Sequence, residues 1–229
     1  MLSWHYIPSR NLWPYVFDVL SFLASSAMMF GYRTWLLNRI RQRPTTTVQG
    51  TNSLARAAWV ERIMEESRDI LAIQTLRNST MAATLMASTA VLLIMGILNM
   101  LANADKIGPT LHVLNSWGSR EPDMWIFKLL VLIVNFFIAF FSYSLAVRGY
   151  NHVGYLINVP PNAPERHGVT ASIVAHHLNR ASDYNSLGMR TYYFSVPLVL
   201  WLFGPQWMLV STVILIAVLY QLDHQPAMD

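Results

Sequence analysis

The sequence predicts an all-α polytopic membrane protein, with four transmembrane helices and a cytoplasmic helical layer formed by extensions of helices 2 and 3 plus two amphipathic helices. Three observations predict it. The 229 residues are 54% hydrophobic and 12% charged, with mean hydropathy +0.34, more apolar side chain than a soluble domain of this size buries. Four apolar runs reach the ~20 residues needed to cross about 30 Å of hydrocarbon. Two long stretches free of proline continue well past those runs. The chain, 1–229, reads as a single membrane domain.

The spans are expected at about 14–37, 80–101, 125–147 and 192–220, with cytoplasmic helical segments at about 52–79 and 148–191. Trp13, Tyr15, Trp35, Trp125, Tyr150, Tyr192, Tyr193 and Tyr220 fall near the span ends, where amphipathic rings sit at headgroup level. The opening MLSWHYIPSR lacks the pattern of a signal peptide, so the first span is expected to remain in the mature protein.

Orientation follows from the basic residues. The segment 38–79 holds Arg39, Arg41, Arg43, Arg56, Arg62, Arg68 and Arg77, and 148–191 holds Arg148, Arg166, Arg180 and Arg190. The opposite side has Arg10, Lys106 and Arg120, while Arg33 and Lys128 sit near span ends and can reach outward to water. Eleven against three places both termini outside.

The run from Asp69 to Ala104 contains no proline and one glycine, Gly96, which as one helix is about 54 Å long, far more than the bilayer core. The run from Trp125 to Asn158 is also proline-free. Helices 2 and 3 should therefore protrude and pack against each other through Leu71, Ile73 and Leu76 on one side and Val153, Leu156 and Ile157 on the other. One amphipathic helix is expected after Pro44 to Gly50, capped by Asn52 or Ser53 and carrying Trp59, Val60, Ile63 and Met64. The other begins near Thr170 and carries Ile173, Val174, Leu178 and Leu187. The fourth apolar segment contains Pro197 and Gly204-Pro205. The expectation is one long, tilted, kinked helix; the alternative is a half-helix and a full helix meeting at a site around Gln206.

Composition narrows the chemistry. A net charge of +4 and pI near 9.5 reflect arginines between apolar runs, so topology explains them and nucleic acid is not an expected partner. With no cysteine there is no disulfide, thiolate metal site or thiol nucleophile. Gly-rich phosphate loops, GxSxG and CxxC are absent. No cofactor is expected.

Intramembrane polar residues are functional candidates because each is costly in lipid. Asp18, about one turn inside the first span, reads as an interfacial carboxylate reaching water, and Asn135 as an interhelical hydrogen-bonding group. Neither belongs to a chain of acids of the sort proton-coupled carriers use. Ser21 with Ser25, Ala27 with Gly31 and Ala83 with Ala87 are small pairs four apart, suited to close helix packing. Among the histidines, His176 and His177 point about 100° apart on one helix and His177 has Ala181 four residues on, unlike HExxH. His152, His176 and Asp183 are the remaining metal candidates, and His112 and His167 belong to no cluster. Arg77, Arg148, Asn151, Arg190 and Gln206 are the candidate ligand or headgroup contacts, with headgroup and ion-pair roles favoured over a ligand site.

The stretches NSLARAAWVERIM (Asn52 to Met64), LAIQTLRNSTMAATLMASTAVLL (Leu71 to Leu93), RGYNHVGYLIN (Arg148 to Asn158) and GMRTYYFSVPLVLWLFGPQ (Gly188 to Gln206) resemble the uncharacterised membrane-protein family catalogued as domain of unknown function 599. The resemblance covers nearly the whole chain and implies a bacterial or plant membrane protein of about this length, without catalytic residues to carry over. The resulting expectation is a multi-pass protein of the plasma membrane, the inner membrane of a bacterium. Its leading function is a non-enzymatic assembly or interaction component, as a homo-oligomer or with another membrane protein. A pore or carrier for a small anionic solute is the alternative, and a membrane-embedded metal-dependent enzyme the third.

Overall fold

A computed structural model describes residues 13–66, 69–103, 118–119, 121–159 and 168–224. Among them are six α-helices: α1 (Trp13–Gln42), α2 (Val48–Glu66), α3 (Asp69–Ala102), α4 (Pro122–Leu156), α5 (Ala171–Trp201) and α6 (Pro205–Asp223), with a 3-10 turn at Pro44–Thr46. Helices α1, α3, α4 and α6 are long and apolar enough to cross a membrane. The protein is thus an all-α chain of the multi-pass membrane type. Arg10, Arg68, Lys106, Arg120 and Arg166, used above for orientation, lie outside the described residues, as do His112 and His167.

Helix ends follow from local chemistry. Pro44 stops the chain after α1 and Pro122 opens α4 at N1, where its missing N–H costs nothing. The Thr170 hydroxyl caps α5 by accepting from Ile173 N at 3.3 Å. The cap of α2 is Thr47, whose Oγ1 accepts from Gly50 N at 3.2 Å, rather than the expected Asn52 or Ser53. Gly50 is required there because a Cβ would collide with the Pro44 backbone.

The helices pack as a row, α3 beside α4, then α5, α6 and α1, with α2 lying on α5 at the arginine-rich end. Along α3 the buried side chains are Ala72, Leu76, Ala83, Ala87, Ala90, Ile94 and Ile97, a three-and-four spacing that keeps one narrow seam against α4. As expected, Leu76, Val153, Leu156 and Ile157 share one apolar cluster with Trp59, Ile63 and Leu178, so α2 to α5 all contribute to a layer beyond the apolar spans. Leu71 and Ile73 do not join it, being 45% and 48% exposed. The seam runs through Ala72 and Leu76, and residues 71 and 73 lie about 100° to either side of Ala72. Ile173 is likewise exposed, next to buried Val174.

The fourth apolar segment departs from the expected single kinked helix. The stretch from Tyr192 to Trp201 is the end of α5, which has run without interruption from Ala171 and keeps Pro197 inside it. The chain then reverses. Gly204 has φ +145°, a region open to glycine, and Pro205 starts α6. A glycine in this conformation followed by proline reverses direction, whereas proline alone only bends a helix. Helix α6 returns to the arginine-rich end, where Asp223 Oδ1 accepts from Arg190 at 2.6 Å and Oδ2 from Tyr32 at 2.7 Å, and His224 bridges to Thr47. The described residues therefore begin at Trp13 and end at His224 at opposite ends of the helices, and the termini beyond them lie outside the described residues.

Candidate functional site

Two polar centres stand at opposite ends of the helices. At the end where α1 and α4 begin, Asp18 is fully buried and its Oδ1 lies 2.7 Å from Lys128 Nζ, itself 2% exposed. Trp201 Nε1 donates to the same oxygen at 2.8 Å, and Ser119 N donates to Oδ2 at 2.7 Å. Lys128 also donates to Trp201 O at 3.2 Å and lies over the indole, 5.2 Å from its centroid. A cation thus meets a terminal carbonyl of α5, as helix C-termini favour, and a carboxylate neutralises it. Phe22 stacks on Trp201 at 5.1 Å. The chemistry is a clamp on the α5–α6 reversal.

Asp18 is therefore not the interfacial carboxylate reaching water, and Lys128 does not extend outward. Each is held inside because another helix supplies its opposite charge. The sequence did contain a signal: Asp18 and Lys128 occupy the sixth and seventh positions of helices starting at the same end, hence similar depth.

Asn135, buried in the middle of α4, donates from Nδ2 to Thr191 O at 3.1 Å, joining α4 to α5. Tyr192 Oη donates to Met86 O at 2.8 Å, tying α5 to α3.

At the arginine-rich end the predicted residues divide between two cavities. Arg190 lines one of about 320 Å³ between α1, α2 and α5 with Arg33, Arg41, Gln49, Ser53 and Asp183. Gln49 Nε2 donates to Asp183 Oδ1 at 3.2 Å, and Arg56 Nε donates to Asn179 Oδ1 at 2.7 Å, which fastens α2 to α5. Burial lowers the Arg56 pKa from its usual value. Arg148, Asn151 and His152 line the other, an open groove of about 820 Å³ between α4 and α5. Arg77 is exposed on α3 and lines neither. Gln206 is at the distant α5–α6 reversal, folded against Gly204.

His152, His176 and Asp183 do not converge. The ring nearest His152 is His177, 5.1 Å between centroids, and Asp183 belongs to the other cavity. No group of three or more potential metal ligands occurs among the described residues. His176 and Asp183 lie on one side of α5 but two turns, about 10 Å, apart along its axis, too far to share an ion, and His152 sits beside His177 rather than His176.

The sequence model of a family described as "Protein of unknown function, DUF599" matches residues 20–227. No curated protein and no solved structure matches the chain.

Proposed function

Since the chain belongs to the DUF599 family, whose function is unknown, we propose that it is a non-enzymatic membrane component that assembles with further copies of itself through the outer members of its helix row. The arginine-rich end faces the cytoplasm of a bacterial cell, with the N-terminal end of α1 outside and the end of α6 inside.

One observation supports this reading above the alternatives: the row is open. Helix α3 packs along its length on α4, and its other face carries Met81, Leu85, Leu92 and Met95, each at least 60% exposed. Close packing with a second helix offers van der Waals contact that lipid chains match less well. A pore through one chain would need the row to close on itself, so a conducting role would also depend on assembly.

The chain's lack of cysteine makes the test direct. Single cysteines at positions 81, 85, 88, 92 and 95 are oxidised in native membranes and scored for covalent dimers. Cross-linking is expected at these positions, which share one face of α3, and not at Ala83 or Ala90 on the face packed against α4. Uniformly monomeric chains there, and at Leu20, Leu23 and Phe30 on α1, would refute the assembly.

A further inference from the structure

The groove between α4 and α5 has a built floor. Gly149 meets Ala181 so closely that a Cβ on the glycine would stand 2.7 Å from the alanine Cβ. This is a close backbone approach of the two helices, and the larger side chains around it diverge to leave the cavity of about 820 Å³. Arg148 and His152 rise from α4, and His177 and Arg180 from α5.

The charge of this groove is one-sided. Among the described residues no carboxylate lines it; the nearest acid along α5, Asp183, is engaged by Gln49 on another side. Neither Arg148 nor Arg180 makes an ion pair among the described residues, although Arg180 donates to Tyr184 Oη at 3.4 Å. Burial, followed by the neighbouring His152, His176 and Arg180, holds the His177 pKa below its ordinary 6.5. Like charges gathered from two helices repel unless an anion joins them.

We propose that this groove binds a phosphate-bearing anion between Arg148 and Arg180. Two planar guanidiniums offer paired donors to adjacent phosphate oxygens, and the imidazoles of His152 and His177 can serve the remaining oxygen. A single carboxylate would satisfy only part of that donor set. The anion is a soluble phosphate ester or a phospholipid headgroup. Ser144, Leu145 and Val147 continue the groove down α4, giving an acyl chain an apolar path. This inference does not depend on self-assembly.

The full chain is placed in nanodiscs of phosphatidylcholine and titrated with pyrophosphate. A second preparation contains phosphatidic acid as a minor lipid, and bound lipid is counted by native mass spectrometry. Saturable pyrophosphate binding assigns the groove to a soluble ester, and selective retention of phosphatidic acid assigns it to a headgroup. In either case R148Q/R180Q should weaken binding at least about tenfold, as loss of two charge-assisted contacts requires. Lysines at both positions should restore part of it, and Arg62→Gln on α2 should leave it unchanged. Arg148 and Arg180 are exposed, so the double variant should keep the thermal midpoint of the wild type. No binding of either probe, or equal binding by wild type and R148Q/R180Q, overturns the proposal.

Discussion

Lys128 Nζ and Asp18 Oδ1 are 2.7 Å apart, in side chains that are 3% and 0% exposed. They belong to helices far apart in sequence, and both touch Trp201, the last residue of α5. Their attraction is strong because water is excluded, and so is the penalty for isolating either charge. Asp18→Asn should therefore cost about 3–5 kcal/mol, read as a lowered unfolding midpoint in detergent. Asp18→Leu combined with Lys128→Met should cost less than Asp18→Asn alone. A double variant at least as damaged as the single one would show that the pair does not act as a neutralising unit.

The apolar layer at the arginine-rich end should contribute measurably to stability. Leu178 is 5% exposed in a cluster fed by four helices, and Ile70 is 76% exposed. Leu178→Ala should destabilise by about 2–5 kcal/mol, and Ile70→Ala by much less. Equal losses for the two would remove the layer from the energetics.

The contact between Gly149 and Ala181 can be tested by compensation. Gly149→Ala places a methyl 2.7 Å from Ala181 Cβ and should cost about 1–3 kcal/mol of overpacking strain. Ala181→Gly in the same chain should recover part of that loss, since the two positions are in contact. Simple addition of the two single effects would contradict the close approach.

Reporter fusions decide the chain reversal. Because His224 bridges Thr47, a reporter joined after the C-terminus and one inserted in the Pro44–Thr46 turn should report the same side of the membrane. Opposite reports would mean that the segment after Tyr192 crosses once, as a single helix.

Acid should loosen the α4–α5 groove. His177 has a folded pKa below 6.5, whereas the unfolded side chain titrates at its ordinary value. As pH falls through 6.5 the unfolded chain takes up a proton that the folded chain resists, so stability drops from pH 7.5 towards pH 5.5. His177→Asn should flatten that part of the curve. An unchanged slope in this variant would place the titration elsewhere.

The first three crossing candidates and the protruding layer were legible in the sequence, because hydropathy, proline placement and residue period act locally. The 34-residue length of α3 needed only the absence of breakers, and the membership of Leu76, Val153 and Leu178 needed only spacing. The register of Leu71 against Ala72 was not legible, since both neighbours of a small seam residue are apolar and packing on α4 selects among them. The reversal at Gly204 was equally ambiguous, because Gly-Pro permits both a kink and a turn. Arg190 and Asp223 hold α6 antiparallel to α5, and Asp18 with Lys128 clamps the reversal itself. What the local pattern determined by itself was which residues form helices in a membrane. Only tertiary structure decided which buried charges meet and at which end the chain returns, because those depend on partners distant in sequence.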